Sequence, residues 1–417
     1  MINNTELQSC LQTLAQFTLS LYYKHLPPDK LKQYEEHIRV FALTDLDSEV
    51  KENPMFAECV AVMEKDEHIK ALNGKLVGTP DSSSIIQDNM FTILSFLSQL
   101  YISNPTYDQD LFNQAYSSFE ELFYSDVLRI RDTSRLNNFQ SNSSLIELGH
   151  GINMRKVPIQ RVIHTASERM QSWVYAKPYI SDFIIERLYE RRKIIGDISK
   201  LNENDSLQGL SKTGELFDFV ISAFRILKPS AVFRDATISS ELLTFHPMPS
   251  TGTMYTMPLS ETIVLGEKCV IEEKDIPELK NIFTFLIAEN DSRFNVAQRR
   301  LRLSMERSSL EDRLIDYMIG LETLYLPDGN QELSFRLSLR MAFLLCSAPS
   351  ERKETYYFVR NIYNTRSNIV HGNKYNLVKD EIDKFEELLR KSLKLWLNDK
   401  SNFSKKALSN IFFPILN

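Results

Sequence analysis

The sequence predicts a mainly α-helical protein with a small β-containing middle region, and three observations lead to this fold class. Apolar residues recur at three- and four-residue steps in the first 135 residues, which is typical of amphipathic helices. In residues 231–274, β-branched residues alternate with polar ones around the turn-rich run PSTGT, which predicts a β-insertion. Helical periodicity resumes at Pro277 and continues almost to the last residue.

The domain organisation follows from length and from these changes of pattern. A chain of 417 residues exceeds what one hydrophobic core usually organises. We expect an N-terminal helical domain at 1–135, a mixed α/β middle region at 136–290 and a helical domain at 291–417.

Composition limits the function classes. The chain has 43% hydrophobic and 25% charged residues, no evident secretory signal and no apolar run long enough to span a membrane, so we expect a cytoplasmic protein without membrane association. A formal net charge of −6 excludes a general polyanion binder and restricts any nucleic-acid contact to a local basic surface. The four cysteines are widely separated, and we expect neither a metal site nor a cofactor.

The first two regions contain several expected elements. Helices are predicted at 4–24, 28–42, 82–103 and 106–132. Gly149 and Gly151 around His150 predict a short strand pair or a structured loop. A helix is expected at 181–196 and a linker at 201–214.

Thr213 is expected to cap a further helix, whose apolar face comprises Leu216, Phe217, Val220, Ile221, Phe224 and Leu227. After Ser308, the turn segments PDGN at 327–330, SAPS at 347–350 and HGN at 371–373 delimit four helices.

The third of these helices carries an arginine on its apolar face. Phe358, Val359, Ile362, Ile369 and Val370 define the stripe expected to be buried. Arg366 lies four residues after Ile362 and three before Ile369, so its guanidinium must find an anion or line a cleft.

His371 follows at the expected helix end, beside Gly372 and Asn373. Five residues correspond to about 140° of rotation and about 7.5 Å of rise, so the two side chains do not share a face of one straight helix. They converge at a frayed helix end, or across a two-fold axis between two copies.

This pair suits metal-independent cleavage of RNA. A histidine can take the proton of the 2′-hydroxyl or give one to the leaving 5′-oxygen. An arginine can hold the phosphate and stabilise the charge that develops on it. The spacing alone is weak support: His371 can equally be a helix cap, and Arg366 can pair with a buried carboxylate.

The context of the pair resembles the HEPN superfamily, specifically the ApeA-like HEPN domains of bacterial antiphage proteins. The matching stretches are SSLEDRLIDYMIGLETLY, ELSFRLSLRMAFLL, VRNIYNTRSNIVHGN and KDEIDKFEELLRKSLKLWL, which cover about 90 residues. The resemblance implies a four-helix bundle at about 308–398, a homodimer, and Arg366 and His371 as the catalytic arginine and histidine.

Supporting roles are expected for four further residues: Asn368, Ser367, Glu322 and Arg340. Glu322 and Arg340 border apolar helix faces and match family positions; an ion pair from Glu322 to Arg340 or to Arg366 would satisfy both charges. Ser367 stands where the superfamily often has Asn, Asp or His, and Asn368 can offer an amide hydrogen bond instead.

Five arginines upstream allow two interpretations: Arg293, Arg299, Arg300, Arg302 and Arg307. They form either a solvated helix face with partners such as Glu306, or a surface that leads RNA phosphates to the cleft.

The sequence thus favours an RNA-cleaving toxin or antiphage effector whose N-terminal region senses a trigger or binds an inhibitor. The alternatives are a non-catalytic HEPN module for dimerisation or ligand binding, and a helical adaptor.

Overall fold

The structure, a computed structural model, describes residues 2–25, 47–78, 85–86, 88–103, 106–157, 180–196, 203–235, 237–245, 247, 253–256, 268–329 and 331–411. The helix expected at 28–42 lies outside these residues. The fold is mainly helical with strands in the middle of the chain, as predicted.

The α-helices of the described residues are α1 (Thr5–His25), α2 (Asp47–Glu52), α3 (Pro54–Lys65), α4 (Glu67–Leu72), α5 (Asn89–Ser103), α6 (Gln109–Tyr124), α7 (Glu203–Leu227), α8 (Ile276–Ala288), α9 (Ser292–Ser304), α10 (Leu310–Tyr325), α11 (Leu333–Leu345), α12 (Pro349–Val370), α13 (Lys379–Asn398) and α14 (Lys405–Asn410). Short 3₁₀ turns cover Glu273–Asp275 and Lys400–Phe403. None of these helices has an apolar stretch long enough to cross a membrane.

The strands of the described residues are β1 (Leu76–Gly78), β2 (Ile85–Ile86), β3 (Val127–Asn137), β4 (Phe139–Ser141), β5 (Leu145–Gly149), β6 (Ile152–Lys156), β7 (Ile180–Arg192), β8 (Ile194–Ile195), β9 (Phe233–Arg234), β10 (Thr237–Leu242), β11 (Thr253–Thr256) and β12 (Cys269–Ile271).

The chain divides into two compact units. The first comprises Met1–Thr133, Arg187–Thr213 and Thr237–Thr256, and the second comprises Ser134–Glu186, Gly214–Ala236 and Met257–Asn417. β3, β7 and α7 contribute residues to both.

The first unit is built around an aromatic core. Phe96 of α5 and Phe119 of α6 are 1% exposed or less, and their ring centroids are 5.0 Å apart at an angle of 62°. Such edge-on packing is the arrangement that ring quadrupoles favour. Antiparallel pairing joins β1 to β2 and to β8, and β10 to β11 and to the beginning of β3.

The second unit combines a β-hairpin with the helices from α8 onwards. β5 and β6 pair antiparallel, and His150 at the turn has φ +54° between two glycines of positive φ. Of the two structures that the sequence allowed here, a strand pair or a structured loop, the chain forms the strand pair. β9 pairs with the end of β3, and β12 runs parallel to β4.

Three predicted helices are in fact strands over part or all of their length. The expected helix 82–103 includes β2, and α5 begins only at Asn89. In the expected helix 106–132, α6 ends at Tyr124 and β3 begins at Val127, without a glycine or proline between them. The expected helix 181–196 is β7 and β8. Apolar residues four apart, such as Ile184 and Leu188, fit two strand periods as well as one helical turn, so this spacing alone did not distinguish the two structures.

The expected linker at 201–214 and the expected cap at Thr213 are also wrong, because α7 is already helical from Glu203. Thr213 lies within the helix and is fully buried. Its hydroxyl donates to Asp132 Oδ2 at 2.5 Å and accepts from Arg187 Nη1 at 2.7 Å. The apolar face predicted for this helix is buried, as expected.

The three predicted breaks in the C-terminal region are confirmed. They fall between α10 and α11, at the junction of α11 and α12, where Pro349 begins α12, and after α12. Four helices, α10 to α13, therefore occupy the stretch for which four were expected.

Candidate functional site

Helix α12 is less buried than its sequence predicts. Of its 22 residues, only Val359 and Ile362 are buried. Phe358 and Ile369 are partly exposed, and Val370 is 53% exposed although it was expected in the buried stripe. The prediction failed at this end because apolar periodicity shows which side of a helix is apolar but not how far its packing partners extend. The last turn of α12 therefore presents apolar surface to its surroundings.

The backbone at the end of α12 is well defined. The amide of Asn373 donates to the carbonyl of Asn368 at 2.9 Å, and that of Gly372 donates to Ile369 at 3.2 Å. With Gly372 at φ +69°, these two bonds form a Schellman motif, the common way to end a helix with a left-handed residue. The helix thus continues to Val370, and His371 is its C-cap, exposed at the surface.

Arg366 has a guanidinium with an unsatisfied donor. The side chain is partly buried, and its Nε is shielded from solvent with no hydrogen-bond partner in the described part of the chain. No carboxylate within that part forms an ion pair with it. A buried donor without an acceptor costs about 1–3 kcal/mol, and an external anion is one group that can complete it.

Tyr363 lies near both the Arg366 guanidinium and the Glu322 carboxylate. Burial, followed by the adjacent Glu322 carboxylate, raises the pKa of the Tyr363 phenol, while the positive charge of Arg366 acts in the opposite direction. Tyr363 lies three residues before Arg366 and therefore shares its side of the helix. Sequence reasoning missed this tyrosine, although its spacing from Arg366 was visible.

Arg366 and His371 point in different directions within one chain. Because α12 is helical through Val370, the five-residue spacing gives about 140° of rotation and about 7.5 Å of rise between the two positions. The frayed helix end, one of two routes to convergence in the sequence analysis, is therefore absent.

The side chains of Ser367 and Asn368 are partly exposed. Their carbonyls accept the amides of His371 and Asn373 and so fix the helix end. Within the described residues, the Asn368 amide forms no hydrogen bond with the His371 imidazole, contrary to the support expected from the sequence.

Arg340 has a structural role, and its expected partner was wrong. The side chain is 1% exposed and forms two bonds of 2.8 Å to the carboxylate of Asp328, instead of a pair with Glu322. It also donates to the carbonyls of Tyr325 at 2.7 Å and Leu408 at 3.2 Å. Asp328 belongs to the PDGN turn, which the sequence marked only as a helix break.

The arginines of α9 and the residues after it are largely paired within the fold. Arg300 Nη1 lies 2.6 Å from Asp316 Oδ1 and Arg307 Nε lies 3.0 Å from Asp316 Oδ2. Arg302 pairs with Asp218 at 3.2 Å.

Arg293 Nη1 donates to the carbonyl of Phe403 at 2.9 Å, and the guanidinium lies 4.9 Å from the centre of the Trp396 ring. Of the five, only Arg299 is exposed and forms no hydrogen bond or ion pair with the described residues. These contacts favour the interpretation of a helix face with intramolecular partners over a surface that leads RNA to the cleft.

Comparisons of the chain with family models, curated proteins and solved structures found no match.

Proposed function

We propose that the chain is a metal-independent endoribonuclease of the HEPN type, with an active site built from Arg366 of one copy and His371 of a second. The observation that carries the proposal is the Arg366 guanidinium, whose buried Nε lacks a partner in the described residues, on the helix that ends at an exposed histidine. A phosphate oxygen is an acceptor that would complete this donor.

The need for a second copy follows from the helix geometry. In one chain the two side chains diverge by about 140°, so they cannot both reach one phosphate from the same face. A two-fold axis near the helix ends would bring the arginine of each copy towards the histidine of the other. Val370, Tyr375 and Val378 surround this end and are 53%, 45% and 45% exposed, which gives such a contact apolar surface to bury.

The reaction is transesterification at phosphorus. The 2′-oxygen attacks the adjacent phosphate as the bond to the 5′-oxygen breaks, leaving a 2′,3′-cyclic phosphate and a 5′-hydroxyl. The His371 imidazole accepts the proton of the 2′-hydroxyl, and the leaving oxygen takes a proton from water. Arg366 holds the phosphate and stabilises its growing negative charge.

Mixed dimers test the shared site. Arg366→Ala and His371→Ala should each abolish RNA cleavage. Unfolding and refolding the two variants together gives random pairing, in which half of the dimers are mixed and each mixed dimer has one intact site, so about a quarter of wild-type activity should return.

Cleavage is measured on a single-stranded RNA by the appearance of 2′,3′-cyclic phosphate ends, with a 2′-deoxy substrate as the negative control. If the wild type cleaves RNA but mixing the two variants restores no activity, Arg366 and His371 belong to a site within one chain. Cleavage by the wild type and by His371→Ala at equal rates would contradict the proposal itself.

The cellular role follows by analogy with the family that the sequence resembles. Cleavage of host RNA by a toxin or antiphage effector requires restraint until a trigger arrives, and the N-terminal region is our candidate for that control.

A further inference from the structure

Helix α12 carries further arginines without carboxylate partners. Arg352 Nε donates to the carbonyl of Cys346 at 2.9 Å, and its guanidinium lies 4.8 Å from the centre of the Phe343 ring. Arg360 is exposed, and its Nη1 donates to the Tyr356 hydroxyl at 3.1 Å. Neither forms an ion pair within the described part of the chain, so with Lys353 and Arg366 the helix has four basic residues without a carboxylate partner there.

Aromatic rings lie between these charges. The centroids of Tyr356 and Tyr357 are 5.3 Å apart at an angle of 78°. Tyr357 is 52% exposed, and Phe343 of the neighbouring helix α11 is 44% exposed. Exposed rings beside arginines are the components on which proteins stack single-stranded bases and hold the backbone between them.

Three of these residues share one side of the helix. Arg352, Tyr356 and Arg360 recur at four-residue steps and so form a continuous row. The exposed carboxylates of Glu351 and Glu354 lie at least about 100° away from each of them around the axis. The row of Arg352, Tyr356 and Arg360 is therefore basic and aromatic, and Tyr357 lies about 60° from Arg360 and about 60° from Glu354 around the axis.

We define the α12 stripe as Arg352, Tyr356, Tyr357 and Arg360, and we propose that it binds the single-stranded RNA that the Arg366 and His371 site cleaves. This inference rests on the proposed function and names the surface that holds its substrate. From Arg352 to His371 the helix rises about 28 Å. That length is sufficient for about four nucleotides, the lower end of the site sizes found in single-strand binding folds.

Charge argues for RNA over a second copy as the occupant of the stripe. In a two-fold interface the same surface faces itself, so the uncompensated arginines of one copy would lie against those of the other. A polyanion relieves this charge instead. The apolar end of α12 at Val370 lacks that conflict and remains the better surface for dimer contact.

The test measures RNA affinity in a background that cannot cleave. In His371→Ala protein, a fluorescein-labelled single-stranded RNA of about 12 nucleotides is titrated by anisotropy. Tyr357→Ala should weaken binding about tenfold and Arg360→Ala by a similar factor, whereas Tyr357→Phe, which keeps the ring, should retain most of the affinity. Arg192→Ala removes an exposed arginine of β7 and is the matched control, expected to bind as the parent does.

Thermal unfolding and the oligomeric state of every variant are measured alongside, so that a loss of fold is recognised. Unchanged RNA affinity in both Tyr357→Ala and Arg360→Ala would overturn the inference. A change of oligomeric state with unchanged RNA affinity would assign the stripe to contact between copies instead. Equal affinity of the parent for poly-glutamate, lost in the same two variants, would make the occupant an acidic protein segment.

The results distinguish a failure of the nuclease proposal from a failure of the stripe proposal. If wild-type protein cleaves RNA and the stripe variants bind it normally, the nuclease proposal stands and the stripe is wrong. If the stripe variants lose RNA binding and no preparation cleaves RNA, the protein binds RNA without cutting it.

Discussion

Helices α9 and α12 both carry several arginines, yet the fold uses them in opposite ways. Arg300, Arg302 and Arg307, in and just after α9, pair with the carboxylates of Asp316 and Asp218. Arg352, Arg360 and Arg366 of α12 have no carboxylate partner among the described residues. The density of arginine along a sequence therefore does not locate an anion site, because tertiary partners neutralise many of these charges.

Removing the carboxylate that pairs with Arg300 and Arg307 should cost the fold the most stability. Asp316 is 4% exposed and accepts from Arg300 and Arg307. Asp316→Ala leaves two guanidiniums without their acceptor and should lower the free energy of unfolding by about 3 kcal/mol. We take the lower end of the range for buried pairs because Arg307 is 47% exposed and screened by solvent.

The free energy of unfolding is obtained from the urea midpoint, provided that the slope is unchanged. Two further variants are the controls. Asp312 is exposed in the first turn of the same helix, α10, and Asp312→Ala should cost less than about 1 kcal/mol. Arg366→Ala should also cost less than about 1 kcal/mol, because it removes a donor that has no partner. A large loss of stability in Arg366→Ala would mean that Arg366 has a partner within the fold, as the arginines of α9 do. The contrast between the two helices would then be wrong.

The sequence predicted the features that neighbouring residues determine, but not those that depend on tertiary contacts. The turn residues of PDGN, SAPS and HGN marked the ends of α10, α11 and α12 correctly, since glycine, proline and asparagine act locally on the backbone. The position of His371 at the helix end also followed from local sequence. The partners of Arg340 and Arg300 were not, because Asp328 and Asp316 lie 12 and 16 residues away and meet them only in the folded chain.

The strand β7 shows a second limit. Its buried residues Phe183 and Ile185 alternate with partly exposed Asp182 and Ile184, which is a strand pattern. The charged residues that follow, beginning with Glu186, resemble an exposed helix face. For this reason the sequence predicted a helix. Only the pairing of such a segment with neighbouring strands decides whether it is a strand or a helix.

A second, smaller effect uses pH to examine a paired arginine. Hydrogen bonds from Arg340, and then its charge and that of Arg336, lower the pKa of Asp328 from 3.8 to about 2. Because the folded-state value is the lower one, the carboxylate stabilises the fold above pH 3.8, and this stabilisation is lost as the pH falls from there to about 2. The difference corresponds to about 2 kcal/mol.

The measurement compares urea unfolding of the wild type and Asp328→Asn at about pH 6 and about pH 2.5. The variant lacks this titration, so the wild type should lose about 1–2 kcal/mol more than the variant between the two conditions. Equal losses would show that Asp328 is not held by Arg340 in solution, and that Arg340 has an uncompensated charge like those of α12.

The smallest effect tests whether an exposed arginine without an ion pair is sufficient for contact with RNA. Arg299 of α9 and Arg360 of α12 are both exposed and both lack an ion pair in the described chain. If exposure were enough, each would contact an RNA phosphate. Each phosphate contact to a single strand adds about 0.7 to the slope of log affinity against log salt.

In His371→Ala protein, Arg360→Ala should therefore reduce that slope by about 0.7, whereas Arg299→Ala should leave it unchanged. The reason is that Arg360 lies beside Tyr356 and Tyr357 on the helix that ends at His371, while the residues around Arg299 are arginines already paired with carboxylates. A reduced slope in both variants would extend the RNA surface to α9, and a reduced slope in Arg299→Ala alone would transfer it there. In either case the number of unpaired arginines on a helix would no longer predict where this protein holds its substrate.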